Sequence, residues 1–552
     1  MVTSMSVSPL YLTLLALGAI LLSYVVPYLV NTNGLRSYPG PIFAKFTSVW
    51  LAWIIKRGRW SKTVEELHRT HGPFVRLSPN HISVADPNAF NPVYGHSSGA
   101  MKAPFYDAFS NFRKRTVFNT CSRAEHARKR HVESHMFAPQ SVRALESTSR
   151  VHVAELLRQF DALCSRVEKA AKGESMTGRQ GSSLWSVRDG RVWFSCMAWY
   201  GFRSFDTIGD LSFGSPFGML RAGNDITKIA KSPQKGLQAF TLVSSGVEPE
   251  KLGLELEDLS VVESLTARTE IAPVLGFLPA YIRPFVARLP GFRRGSDAAT
   301  RLASLAITSV MRRLAAADSR EDMLQRLLDG RDEEGNPMDP EELSAEALTL
   351  IIAGADTTAN TTCAITHFLA RDQYRQAKLQ AELDSAFASI DGDIAPYDVV
   401  KRLPYLDAVI DEGLRLHSTV GAGLPRIVPP GGMTVLGQTF KEGTWISVPI
   451  YTVHRSEAVW GENAHQFCPE RWIEPDSARK KQMMDAFAPF SIGPRACIGR
   501  NLALMQLHII VATIFHRYHF VVEDDAELAV HDALARRPVK CVVGMKHREF
   551  CA

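Results

Sequence analysis

The chain has 552 residues, 45% hydrophobic and 22% charged, long enough for several ordinary domains, yet no linker divides it and one large domain is expected. Its 63 basic and 57 acidic residues are spread along the chain and leave a net charge of +6, which provides no footprint for nucleic acid. Apart from Cys497, the cysteines form no C-x-x-C pair and no local Cys/His cluster, so zinc and iron-sulfur centres find no support and free thiols in a reducing compartment are expected.

At the N-terminus, Pro9 to Val30 is uncharged and rich in Leu, Val and Tyr, long enough as a helix to cross a hydrocarbon core of about 30 Å. It exceeds the apolar core of a secretory signal, and no compact A-x-A-like site follows; a cleaved signal peptide is the rival reading. Arg36 and Lys45 are the first charges after it and no Lys or Arg precedes it, so the positive-inside rule leaves the bulk of the chain in the cytosol. The expectation is an anchor and linker over residues 1–34 and a globular domain over 35–552, with Leu35-Arg-Ser-Tyr-Pro39-Gly40-Pro41 as a stiff spacer.

Helical patterns follow over Ser122–Phe137, Ser147–Cys164 and Asp297–Ala316, and the glycine- and serine-rich stretch from Lys172 to Ser183 reads as a surface insertion. From Asp339 to Arg371 one very long helix is predicted, with Asp339 as N-cap, Pro340 in the first turn and Glu341 and Glu342 near the positive end. Its middle holds Ala353-Gly354-Ala355-Asp356-Thr357-Thr358, where a glycine costs about 1 kcal/mol against alanine and buried hydroxyls need partners. Thr357 stands four residues after Ala353, so its hydroxyl can compete for that carbonyl and loosen the helix into a groove for a small molecule. Further helices are predicted over Ala377–Ala388, Leu403–Leu416 and Ile498–His516, and strands over Val435–Phe440, Thr444–Pro449 and Val539–Met545. The fold class is therefore mainly α with small β-sheets, preceded by one N-terminal transmembrane helix.

Glu412-Gly-Leu-Arg415 sets opposite charges at i and i+3 on one helix face, and Arg471 follows within Phe467-Cys-Pro-Glu-Arg471-Trp. Then comes Phe490-Ser-Ile-Gly493-Pro-Arg495-Ala-Cys497-Ile-Gly499, just ahead of an apolar helix. Its glycines let the backbone come close to a flat partner, a helix starting near Ile498 favours thiolate at Cys497, and Arg495 offers a fixed positive charge.

This loop resembles the F-x-x-G-x-R-x-C-x-G element of the cytochromes P-450, and the middle of the long helix is similar to that family's A-G-x-D-T-T. The resemblance implies a membrane-anchored haem-thiolate monooxygenase with haem b, Cys497 as the axial ligand of its iron, and Phe490, Gly493 and Arg495 in the cofactor loop. Thr357 is then the residue assisting dioxygen and Asp356 a member of the proton relay. Glu412, Arg415 and Arg471 look like the family's E-x-x-R and P-E-R-F elements, a buried ion-pair network behind the haem. His126 and Arg130 stand where W-x-x-x-R is common, and these two with Arg426 are implied to face the haem propionates. Arg123, Arg128, Lys129 and Arg130 would form a patch for an acidic electron-donating flavoprotein. Where relatives have a proline after the oxygen helix this chain has Arg371-Asp-Gln373-Tyr, so a less fixed turn is expected there.

Val117–Arg130, Tyr200–Asp210 and Glu342–Thr349 are similar to the fungal benzoate 4-monooxygenase group. That likeness implies hydroxylation of a small apolar, aromatic molecule in secondary-metabolite biosynthesis or aromatic-acid metabolism, with O2 and NADPH-cytochrome reductase as partners at the endoplasmic reticulum membrane. An electron-independent isomerase or dehydratase, or a non-catalytic haem-binding protein, are the alternatives. The segments Phe105–Phe118, Ser244–Ala267, Val420–Leu424 and Ala533–Arg537 are the expected selectors of substrate, and Arg113 or Arg115 is the expected cation for an anionic one.

Overall fold

The computed structural model describes residues 18, 22, 25–110, 112, 114–244, 253–316, 322–331, 334–523 and 527–549. Most of the expected membrane span lies outside the described residues; residues 25–30 are helical, and no helix among the described residues is long and apolar enough to cross a membrane. In chain order the principal helices are α1 (Arg123–Ser134), α2 (Glu146–Ala171), α3 (Cys196–Phe213), α4 (Val261–Phe277), α5 (Pro290–Ala315), α6 (Pro340–Arg371), α7 (Pro404–His417) and α8 (Arg500–Arg517). The predicted helices are therefore present, some longer than their hydrophobic pattern, because polar ends continue a helix that the core has already nucleated.

α6 is the axis of the fold. Asp339 accepts from the Glu342 backbone N–H at 2.8 Å, Pro340 opens the first turn, and the helix runs unbroken to Arg371. It packs against α3 and α5 and meets α7 and α8. Gly354 is explained by this packing: a Cβ there would stand 2.6 Å from Ile208 Cδ1 of α3, so the glycine admits a neighbouring helix. Gly354→Ala is expected to destabilise by about 1–3 kcal/mol through overpacking, although alanine is the better helix former. Ile208→Val should restore part of the loss in urea unfolding, and a neutral Gly354→Ala would refute the packing account.

The strands of the two five-stranded sheets and of one hairpin near the site are β1 (Phe74–Ser78), β2 (His81–Val84), β3 (Met101–Lys102), β4 (Thr177–Gln180), β5 (Ser183–Arg188), β6 (Arg191–Ser195), β7 (Arg426–Ile427), β8 (Trp445–Ser447), β9 (Tyr518–Val521), β10 (Ala529–Asp532), β11 (Arg536–Lys540) and β12 (Val542–His547). One sheet has the order β1-β2-β8-β7-β3, with β8 parallel to β2, and a second has β9-β12-β6-β5-β4; β10 and β11 pair separately. The expected insertion over Lys172–Ser183 is in fact the turn into β4, an edge strand paired with β5. The expected spacer is also packed: Leu35 is buried, Tyr38 stacks on Phe440, and the Arg76 N–H donates to the Pro39 carbonyl. The turn after α6 is firmly held, since Asp372 caps the next helix and Arg375 reaches Glu470 at 2.9 Å.

Candidate active site

The cysteine loop is closed by Cys497 N–H donating to Phe490 O at 2.9 Å and Ala496 N–H donating to Gly493 O at 3.1 Å. Gly493 has φ +73°, and a Cβ there would collide with the Tyr94 carbonyl, so this glycine answers the end of the short helix Phe90–Tyr94 rather than a flat partner. α8 begins at Arg500 with Gly499 as its cap, later than Ile498. Cys497 is solvent-accessible, yet desolvation is the largest influence on its thiol and pushes it up, outweighing the Gly499 N–H, Arg130 and Arg500. An accessible yet desolvated cysteine leaves room for a partner within the protein. The helix end alone does not make it a thiolate; a cation at the sulfur has to supply the rest.

A second such surface lies on α6. Thr357 Oγ1 donates to Ala353 O at 2.8 Å, the competition expected from their spacing, while the helix stays continuous. Ala353 is exposed and Thr357 half-exposed between buried Ile351, Ala355, Asp356 and Thr358, so one stripe of a core helix faces open space. Asp356 accepts from Asn360 Nδ2 at 3.2 Å, and Arg537 Nε of β11 stands 3.8 Å from its carboxylate.

Basic groups border the cysteine loop. Arg495 donates to the Thr120 and Ser122 carbonyls, Arg130 to Ala496 O at 2.8 Å, and Arg426 to Tyr106 Oη at 2.9 Å. Lys102 of β3, buried, donates to Phe118 O. Burial and then Arg426 and Arg495 push the Lys102 ammonium well below its usual range; burial and Arg426 bring Arg495 down to about 10. Burial with Arg495 and Lys102 brings His126 down to about 3, so its imidazole is neutral and can donate one N–H. Among the described residues none of Lys102, Arg130, Arg426 and Arg495 has a carboxylate partner. Cations that depress one another at a buried edge call for an anion.

The family model for cytochrome P450 matches residues 39–543. The chain belongs to the cytochrome P450 family. It is 38% identical to benzoate 4-monooxygenase of Aspergillus niger over 97% of each chain. It is also 29% identical to a cytochrome P450 monooxygenase of Pyricularia oryzae over 91% of this chain and 87% of that one. With tryprostatin B 6-hydroxylase of Aspergillus fumigatus it shares 29% identity over 87% of this chain and 74% of the relative. The protein is thus an oxidoreductase of the monooxygenase type, whose family uses haem with an axial cysteine thiolate.

The residues present fit that cofactor. An accessible sulfur in a desolvated loop suits a metal, and the uncompensated Lys102, Arg130, Arg426 and Arg495, with a neutral His126, suit carboxylates on one edge of a flat group. Lys102 was not singled out by its sequence; a lysine inside the apolar run Ala100–Tyr106 is the signal that could have found it. Arg537 was placed only in a substrate segment, and its approach to Asp356 depends on two elements far apart in the chain.

Other expected sites are redistributed. Lys129 is buried against Glu342 and Glu346 and Arg128 pairs with Glu342, so these residues of the basic patch tie α1 to α6 and leave Arg123 exposed. Arg115 pairs with Asp107 at 2.7 Å, Lys114 pairs with Asp339, and Arg113 lies outside the described residues. Cys196, Cys363 and Cys541, with no sequence proximity, bring their sulfurs within 4.8 Å of one another in the core. Burial pushes the Cys196 and Cys363 thiols up.

Proposed function

We propose that this P450 hydroxylates a small aromatic molecule, with Cys497 as axial thiolate and His126, Arg130, Arg426, Arg495, Phe490 and Gly493 forming the cofactor cradle. The observation that carries the reading is the accessible yet desolvated Cys497 sulfur beside uncompensated cations, and its likeness to a benzoate 4-monooxygenase supports the aromatic class. Bound haem supplies the binding and reductive activation of dioxygen, with electrons from NADPH-cytochrome reductase. The chain handles the protons. Thr357 Oγ1 sits at the open stripe of α6 and gives up its bond to Ala353 O to present a proton there. Asp356, held by Asn360 and approached by Arg537, takes up a proton from water and passes it on to re-protonate that hydroxyl.

Anchoring at the endoplasmic reticulum membrane through the N-terminal segment, with the catalytic domain in the cytosol, belongs to the same proposal. Exposed Leu29, Val30, Phe43 and Trp53 and, on the 281–289 segment, Tyr281 and Phe285 support a membrane-facing side. A cavity of about 370 Å³ lined by Tyr28, Phe46, Val49, Phe277 and Ile282 joins the two segments, and Lys56 Nζ donates to Gly291 O at 2.9 Å. The full chain should float with lipid vesicles at high salt, and complete recovery in the soluble fraction would reject the anchor.

Reconstitution with the reductase and benzoate tests the reaction. Substrate-dependent NADPH use and a product one oxygen heavier are expected; an isomer of unchanged mass, or no NADPH use with any aromatic tried, would reject it. Thr357→Ala should retain haem and fold but divert electrons to hydrogen peroxide, with product per NADPH falling about tenfold or more. Unchanged coupling would remove Thr357 from proton delivery.

A further inference from the structure

We propose that Arg268 of α4 anchors the carboxylate of this enzyme's substrate, an inference that rests on the aromatic reading above and narrows it to an anion. α4 turns the face carrying Arg268, Ala272 and Gly276 toward the 3₁₀ turn Pro104–Phe109: a Cβ on Gly276 would come within 2.6 Å of Phe105 Cδ2, and Arg268 Nη2 donates to Ala108 O at 2.9 Å. That carbonyl engages one of five N–H donors in a planar fork shaped for a carboxylate.

No acidic side chain among the described residues pairs with Arg268, unlike nearby Arg294 and Arg301, which meet Glu263 and Glu257. Desolvation alone brings it down to about 10, so it remains charged at neutral pH. The side chain is nevertheless half-exposed, the same combination of accessibility and surrounding protein seen at Cys497. Its remaining donors meet no other hydrogen-bond partner among the described residues.

The contacts of α4 tie its two sides to the cofactor edge and, through Arg537, to the oxygen helix. On one side the Pro104–Phe109 turn holds both Ala108 O, which takes Arg268, and Tyr106 Oη, which takes Arg426. On the other, Thr266 of α4 accepts from Arg537, whose guanidinium stands 3.8 Å from Asp356, the neighbour of Thr357. Among the described residues, two rival cations are committed elsewhere: Arg115 to Asp107, and Arg537 to Thr266, Val262 O and Asp356. A neutral ligand would leave Arg268 desolvated against one carbonyl. A carboxylate completes its fork with parallel N–H···O bonds and cancels the charge.

The test titrates benzoate, a short alkyl carboxylate and the methyl ester of each into holoprotein, reading the spin-state shift and equilibrium dialysis. Arg268→Gln should weaken the acids by roughly 10- to 150-fold and leave the esters within about threefold, with Arg268→Lys in between. The carbon monoxide band and haem content report folding of each variant. Acids bound equally by wild type and Arg268→Gln, or acids and esters lost together, would overturn the anchor, as would wild-type preference for the esters. If alkyl acids but not benzoate respond and Arg268→Gln abolishes the response, the anchor stands and the aromatic reading falls.

Discussion

Cys497→Ser is expected to eliminate the strongly red-shifted Soret band of the reduced carbon monoxide complex and, with it, all monooxygenase turnover. A hydroxyl at this position stays neutral where desolvation already pushes the more acidic thiol up, so it offers no anionic donor to the iron. The loop itself should survive, because it is closed by the Cys497 N–H on Phe490 O and by Gly493 against Tyr94, none of which involves the sulfur. The absorption spectrum and the unfolding midpoint of the apoprotein separate the two effects. Retention of the red-shifted band in Cys497→Ser would place the ligand elsewhere.

Glu412→Gln is expected to cost about 3–5 kcal/mol and to leave little soluble, haem-loaded protein. Glu412 takes both arms of Arg415 at 2.8 Å and Arg471 Nε at 3.1 Å, and it also accepts from Trp472 Nε1 and the Cys468 N–H. Burial by itself would raise this carboxyl, but Arg415 and Arg471 hold it below the usual range. An amide keeps the shape and loses the charge, leaving a fully buried Arg415 with neutral acceptors only, one amide oxygen and the carbonyls of His454, Ala464 and Gln466. Urea unfolding and haem retention after expression give the measurement; a midpoint within experimental error of the parent would make this network ornamental. Any one surface ion pair, such as Lys481 with Asp485, should be nearly neutral by comparison.

Some expectations failed for an identifiable reason. The basic residues Arg123, Arg128, Lys129 and Arg130 were read as one docking patch because they crowd a single helix. On that helix, however, Arg128 and Lys129 turn toward Glu342 and Glu346, residues more than two hundred positions away. The sequence shows only the cost of the glycine in the oxygen helix, whereas its reason lies on another helix, where Ile208 occupies the space a Cβ would need.

By itself the sequence determined what is written in contiguous residues: the cysteine loop around Cys497, the capped helix from Asp339, the Thr357 bond to Ala353, and the Glu412–Arg415 spacing. Backbone propensity, capping and i,i+4 geometry act over a few residues, so their outcome is fixed before the chain collapses. Only the tertiary structure decided that Lys102 joins Arg426 and Arg495, that Arg537 meets Asp356, that three distant cysteines converge, and that Arg268 meets a carbonyl where nearby Arg294 and Arg301 meet carboxylates. Those pairings are chosen when helices and sheet edges pack, because a buried charge selects its partner from whatever the fold brings within a few ångströms, whatever the separation in sequence.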